Sequence, residues 1–416
     1  MNAPPPTQEL DMAFVRSHFP ALQQQWIYMD NAGGSQTLKT VADRISDYLL
    51  NTNVQVGGSY EISQLSMQRI AAGSAAMATL INAAHPQEVV MGPSTSMMMR
   101  ILSLSMGRML QPGDEIIVSN ADHEANVSPW MDLQRQGIKV HIWKINPQSF
   151  RLELDQLEQL MNARTRLVTV THTSNVLGIL NPIKEIAQFV HQRNAWICVD
   201  GVAHAPHCLI DVQELDVDFY GFSFYKVYGP HYALLYGKRE HLLRLPGVNH
   251  YFIDGPEIPY KFQPGNVNFE FAYGMLGLTD YLQAVARHHF PGEQGSMRQQ
   301  LQRAFELFAQ QEARLNQRLL HWLNSRPNVR IIGERSAHRN LRVPTISFVV
   351  EGRDSREIVE QVDPHKIGIR YGDFYAKKLI HDLGLEAQNG VIRVSLVHYN
   401  TLEEVDRLIE VLEGLI

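Results

Sequence analysis

Between residues 88 and 237 the chain repeats one pattern: a short run of apolar and β-branched residues, then a stretch with apolar positions at helical spacing. The runs are EVVMG (88–92), DEIIVSN (114–120), KVHIWKI (139–145), RLVTVTH (166–172), WICVD (196–200), DFYGFS (218–223) and HYALLYG (231–237). Their hydrophobicity is continuous rather than alternating, as strands covered on both faces require. Helical periodicity fills most of the gaps, for example over 64–81, 96–109 and 184–193. Strands that alternate with helices predict a mainly parallel sheet with helices on its faces. The runs at 218–223 and 231–237 lie too close for a helical crossover, so one antiparallel strand is predicted there. The expected large domain is therefore α/β, around a mainly parallel seven-stranded sheet with one antiparallel strand.

After about residue 270 the pattern changes. Residues 297–325 carry apolar positions at helical spacing, followed by PTISFVVEG, VIRVSLVHY and a closing helix. This predicts a smaller α+β C-terminal domain. The last helix opens on Thr401 and Glu404 at capping-box spacing, with Leu402, Val405, Leu408, Ile409 and Leu412 on one face. The division expected is an N-terminal segment (1–25) packed on the small domain, a large domain (26–275) and a small domain (276–416). Residues 247–268, rich in Gly, Pro, Asn and aromatics without periodicity, read as a long functional loop.

Charge narrows the partners. Lys and Arg number 37 against 43 Asp and Glu, a formal charge of −6, which offers no footprint for nucleic acid or an anionic membrane. No apolar run approaches the ~20 residues of a spanning helix, and the first residues lack a signal core. A cytoplasmic protein with a small-molecule partner is expected. Two cysteines, Cys198 and Cys208, cannot build a disulfide framework or a metal cluster. Cys198 falls in an apolar run and reads as core, and Cys208 is a candidate reactive thiol.

In parallel α/β sheets ligands bind beyond the carboxyl ends of the strands. Those ends are polar here. RLVTVTH runs into Thr173, Ser174 and Asn175; WICVD ends on Asp200; DFYGFS ends on Ser223 and leads to Tyr225 and Lys226; DEIIVSN leads to His123. Each residue alone has an ordinary explanation as a cap, a turn former or a solvated charge. Together on one sheet edge, an acid, a lysine, a histidine and hydroxyls point to a site. An acid at one strand end and a lysine after the next suit pyridoxal phosphate, whose Schiff base uses the lysine and whose ring nitrogen pairs with a carboxylate. GPSTS (92–96), just before a helix expected near Met97, can face an anion with backbone N–H groups and hydroxyls.

DNAGGSQ (30–36), DHEANVSPW (122–130), THTSNVLG (171–178), VDGVAHAP (199–206), FSFYKVYGP (222–230) and VIRVSLVHYNTLEEVDRL (391–408) resemble fold-type I, class V pyridoxal phosphate enzymes. Within that class they resemble the cysteine desulfurase and selenocysteine lyase branch. The resemblance spans nearly the whole chain in order. It implies that Lys226 forms the Schiff base, Asp200 pairs with the pyridine nitrogen, His123 stacks on the ring and Asn175 lies near the phenolic oxygen. It further implies that Thr95, Ser96, Ser223 and Tyr225 hold the phosphate and that Arg393 grips the substrate carboxylate. A homodimer is implied, with the active site at the subunit interface and Asn266 reaching the neighbouring subunit's phosphate.

Three positions depart from the branch. Its glutamine three residues after the aspartate is Ala203, followed by His204, leaving His204, Tyr28 or a water to replace the lost amide. Its histidine before the lysine is Tyr225. Its nucleophilic cysteine, in an RxGxxC pattern, is Tyr375 after Arg370 and Gly372, so no persulfide can form there. The leading expectation is β-elimination from a small, sulfur-containing amino acid, of the C–S lyase type. The same residues are compatible with a class V aminotransferase or an epimerase. A non-catalytic, pyridoxal phosphate-binding regulator is a further alternative, against which the retained His123 and Arg393 argue.

Overall fold

A computed structural model describes residues 9–253 and 255–416. Its strands in chain order are β1 (Ile27–Tyr28), β2 (Val89–Gly92), β3 (Glu115–Ser119), β4 (Lys139–Trp143), β5 (Thr165–Thr171), β6 (Trp196–Asp200), β7 (Phe219–Ser223) and β8 (Ala233–Gly237). Five more follow: β9 (Val329–Ile332), β10 (Thr345–Val350), β11 (Ile367–Gly368), β12 (Arg370–Gly372) and β13 (Val391–Ser395).

The main sheet has the order β2-β8-β7-β6-β5-β3-β4. Only β8 runs against its neighbours, pairing antiparallel with both β2 and β7. The seven residues between the apolar runs admit only a tight return, so the antiparallel strand falls where the spacing predicts it. All residues of β2, β3, β6, β7 and β8 are buried apart from a half-buried Trp196. β4 departs from the expectation of burial on both faces, because at the sheet edge Lys139 is exposed and the next three residues are half-buried.

The C-terminal part builds a four-stranded antiparallel sheet, β12-β13-β10-β9. The helix Met297–Asn324 packs against the closing helix Leu402–Glu413, whose Thr401 and Glu404 form the expected capping box. A second core of Leu315, Leu319, Leu323, Ile346, Phe348, Ile392 and Leu408 fills the space between. β1 pairs in parallel with β11 in a separate two-stranded sheet, and an isolated bridge joins Asp30 to Ser395 at the end of β13.

Of the N-terminal segment, residues 1–8 lie outside the described residues. Arg16 donates to the Tyr399 carbonyl and pairs with Glu404 at 2.9 Å, while Phe19 packs edge-on against Tyr228, Tyr281 and Tyr399. Among the described residues of 247–268 the backbone is mostly irregular, apart from one short turn of helix at Tyr260–Phe262. Among the described residues no helix is long and apolar enough to cross a membrane.

Candidate active site

The parallel strands β3, β5, β6 and β7 end on the same edge of the sheet, and their following residues converge on one pocket. Thr95, Ser96, His123, Asn175, Asp200, Ser223, Tyr225 and Lys226 all line it, with Ala203 and Thr173. Of the site residues expected from sequence, Arg393 stands beside this pocket and Asn266 stands apart from it. Asn266 is exposed, with φ 80°, and its N–H is held by the Gln263 carbonyl.

Lys226 follows the last residue of β7 through a single helical turn, and its side chain is buried. Burial, then the Arg393 charge, lowers its ammonium to about 8, while Asp200 and Asp30 act in the opposite sense. Asp200 accepts a 2.8 Å bond from Val202 N–H. Burial raises its carboxyl, against the pull of that bond and of Lys226. His123 caps the short turn Glu124–Asn126, its Nδ1 accepting from Ala125 N–H at 3.0 Å. Burial and then the Lys226 charge lower it to about 4, so the ring is neutral near pH 7 with its proton on Nε2.

At the other end of the pocket Thr95 Oγ1 and Ser223 Oγ lie 2.6 Å apart. Thr95 opens the helix Thr95–Gly107, two residues before the expected Met97, and Ser94 caps it. That places the N-terminal N–H groups and the dipole of a thirteen-residue helix beside the hydroxyls. Tyr225 stacks on His231 with centroids 4.9 Å apart.

β13 presents Arg393 from the smaller sheet. It donates to the Asn175 carbonyl at 3.1 Å and to Asp30 Oδ1 at 2.8 Å, and its guanidinium lies 3.7 Å over the Phe374 ring. The turn at 373–376 meets two residues of the pocket lining, Asn175 and His123, from this side. Phe374 and Tyr375 both take left-handed backbone, φ 52° and 58°, which non-glycine residues adopt only when surroundings hold them there. Asn175 Nδ2 donates to the Phe374 carbonyl and Glu124 N–H to the Tyr375 carbonyl, each at 2.8 Å, and Tyr375 N–H reaches Asp373 Oδ1. Tyr375 is 68% exposed, and its ring tilts against His123 with centroids 5.3 Å apart.

Neither thiol belongs to this pocket. Cys198 is buried within β6, its Sγ 3.7 Å from Met99 Sδ, and Cys208 lines a separate cleft with His207 and Glu312. Burial pushes Cys208 up to about 12 and Cys198 well above its ordinary value. Tyr28, a candidate for replacing the lost amide, points elsewhere, its hydroxyl 3.4 Å from Gln24 Oε1.

Two residues escaped the sequence reading. Asp30 sits in the DNAGGSQ segment, but only the folded chain shows its 2.8 Å pairing with Arg393, 363 residues away. Asp122 precedes His123 and is buried, accepting from Asn126 Nδ2, Thr171 N–H and Ser119 Oγ. Burial lifts it to about 7, despite those bonds. The available signal is a charged residue three positions beyond the end of a buried strand.

The residues fit pyridoxal phosphate. They offer an amine held partly neutral, a carboxylate for a cationic ring nitrogen, hydroxyls at a helix N-terminus for phosphate and a buried Asn175 Oδ1 without a hydrogen-bond partner. A large α/β domain with such a site, completed from a smaller C-terminal sheet, defines the fold-type I class of pyridoxal phosphate-dependent enzymes. Within that class, the family model for aminotransferase class-V matches residues 27–310 and 301–408, and the chain belongs to this family. It is 42% identical to the aminotransferase-like protein FGM3 of Gibberella zeae over 410 residues, 96% of this chain and 97% of that protein. It is 35% identical to the cysteine desulfurase-like protein ustD of Aspergillus flavus, covering 95% and 88%. Among solved structures, the cysteine desulfurase CsdA of Escherichia coli superposes with a TM-score of 0.81 at 27% identity, covering 97% of this chain and 98% of that one.

Proposed function

We propose that this enzyme removes the α-proton of a small, sulfur-containing amino acid and releases its β-substituent by elimination, with no enzyme-bound persulfide. The observation that carries the reading is the pinned turn at 373–376. It presents the phenol of Tyr375, while Cys198 is buried inside β6 and Cys208 lines a separate cleft, so neither thiol reaches the pocket. The phenol has no sulfur with which to form a persulfide.

Pyridoxal phosphate, when bound, supplies the electron sink for the bonding pair left at the α-carbon. In our reading Lys226 carries the cofactor and then, freed by the substrate amine, takes the α-proton on Nζ. An amine near 8 serves this role at neutral pH, because both its forms are populated. Asp200 keeps the ring nitrogen protonated. His123, neutral, covers one ring face without adding charge. Thr95, Ser96, Ser223 and Tyr225 hold the phosphate at the helix N-terminus. Arg393 takes the substrate carboxylate in its planar fork, and Asn175 Oδ1 accepts from the substrate nitrogen. The sulfur departs as sulfide from cysteine or as a small-molecule persulfide from cystine, and the three-carbon remainder hydrolyses to pyruvate and ammonia.

In the same reading residues 26–275 form the cofactor domain and 276–416 the small domain. The enzyme acts as a homodimer in which Asn266 reaches its partner's phosphate. Exposed Leu49, Leu50, Leu65, Met67, Met97 and Leu104 support a covered face.

The test is product analysis of the holoenzyme with cysteine and cystine. Pyruvate with sulfide or a small-molecule persulfide is expected. Alanine as the main product would restore a desulfurase reading, a keto acid with an aminated cofactor would mean transamination, and a D-amino acid would mean epimerisation.

A further inference from the structure

The family's amide is missing at position 203, and the structure shows what stands in its neighbourhood. Ala203 lines the pocket with a methyl group that donates nothing. The next residue, His204, turns away from the pocket and lies flat on His172, ring centroids 3.5 Å apart and planes 11° apart. Its Nδ1 sits 3.1 Å from Oγ1 of Thr173, which lines the pocket beside Ala203 and Asn175. Thr173 is fully buried. Its backbone is fixed on two sides: the carbonyl accepts from Thr171 Oγ1 at 2.7 Å, and the residue pairs with Leu180 in an isolated bridge. His172 is held in turn by Tyr220, whose hydroxyl lies 2.9 Å from its Nδ1. The other titratable groups near this stack are His207, which lies on the same turn, and Asp200, whose carbonyl accepts from His172 N–H.

We propose that Thr173 and His204 act as a pair that replaces the missing amide: Thr173 donates its hydroxyl proton to the phenolic oxygen of the cofactor, and His204 sets the direction of that hydroxyl. The inference rests on the cofactor placement proposed above, and is independent of which product the enzyme makes.

The hydrogen-bond count determines the tautomer. A hydroxyl has one proton. If Thr173 gave it to His204, only lone pairs would face the pocket, and a phenolate oxygen accepts but does not donate. His204 must therefore carry its proton on Nδ1 and donate to Thr173 Oγ1, which frees the threonine proton for the cofactor. The two stacked rings suit this arrangement. Burial lowers His172 to about 3 and His204 well below its ordinary value, so both are neutral and neither repels the other. Thr173 and His204 are positioning and hydrogen-bonding residues in this scheme, and neither takes up the α-proton.

The readouts are the pH midpoint of the holoenzyme's long-wavelength absorbance and the dissociation constant of pyridoxal phosphate. Thr173→Val keeps the shape and removes the donor. The phenolic oxygen then holds its negative charge less well, so the nearby chromophore proton is retained to higher pH. We expect a midpoint about one unit higher, a tenfold change in proton affinity, with cofactor binding weakened about tenfold. Thr173→Ser should keep the wild-type midpoint. His204→Phe preserves the stack without Nδ1 and should raise the midpoint by a smaller amount. Ala203→Gln placed on Thr173→Val should return it toward wild type, which a purely structural loss would not do. An unchanged midpoint in both Thr173→Val and His204→Phe, or a shift that Ala203→Gln leaves untouched, overturns the proposal. The cofactor placement fails separately, through a long-wavelength band that survives Lys226→Ala.

Discussion

The floor and the roof of the pocket are built differently. The floor, at the ends of β3, β5, β6 and β7, is buried, regular backbone. There Asp200, Lys226 and His123 are all shifted from their ordinary titration by burial and by one another. The roof is a turn with two residues in left-handed backbone, held by bonds from Asn175 and Glu124, and its tip residue Tyr375 is mostly exposed. Rigid strands serve chemistry that every reaction of this family shares, since the electron sink must be held the same way each time. A loop whose backbone is fixed but whose tip is free is where one side chain can change the fate of the substrate while leaving the sink intact.

That contrast breaks first at Lys226. Lys226→Ala should abolish the visible absorbance and lower turnover by on the order of 10⁴-fold, with borohydride reduction of the wild type fixing the cofactor on Lys226. Another labelled lysine would refute the assignment. Asp200→Asn removes charge at constant size, so turnover should fall by about 10³-fold while much of the cofactor is retained. Near-normal turnover would remove the electron-sink argument. Arg393→Ala should cost about 2 to 4 kcal/mol in kcat/KM, with Arg393→Lys recovering part. Unchanged kinetics would make Arg370 the next candidate for the carboxylate.

A smaller effect concerns pH. If Lys226 carries the cofactor as proposed, only its neutral amine attacks the aldehyde, and that amine sits near 8 rather than at the usual lysine value. Reconstitution of the apoenzyme should therefore quicken about tenfold per pH unit below 8 and level off above it. A rate still climbing at pH 10 would show an unshifted lysine. The folded apoenzyme binds this proton less tightly than the unfolded chain, so the group's contribution to stability rises with pH between about 8 and the unfolded value. The smallest effect is expected at the thiols: Cys208→Ser and Cys198→Ser should each leave turnover within about twofold, because neither touches the pocket. Activity lost in Cys208→Ser, with alanine as product, would place a relocated thiol in the chemistry.

Much of the floor was legible in the chain because it is local. Each polar strand end lies within a few residues of an apolar run, and continuous hydrophobicity marks the run without reference to anything distant. This is why Asp200, Ser223 and Lys226 could be placed from their neighbours alone. The antiparallel strand β8 was legible for a different reason, since seven intervening residues exclude a crossover. What the sequence hid is non-local. The pairing of Asp30 with Arg393, the seat of Arg393 over Phe374 and the bond from Asn175 to the Phe374 carbonyl join residues 19 to 363 positions apart in sequence, and no periodicity encodes such contacts. The His172–His204 stack was hidden too, because stacking depends on ring orientation, which residue type does not specify.

The Asp30–Arg393 pair has one further consequence. The Arg393 guanidinium is withdrawn from water and already paired with Asp30, so an incoming anion meets a partner that is in place. If Arg393 takes the substrate carboxylate as proposed, the resident Asp30 competes for the same guanidinium, and the substrate anion is bound less tightly than by a free one. Molecules that bring only a carboxylate gain little from the exchange. Amino acids, which also offer an amine to the cofactor, gain from both, and the trade itself becomes a filter for substrates that react.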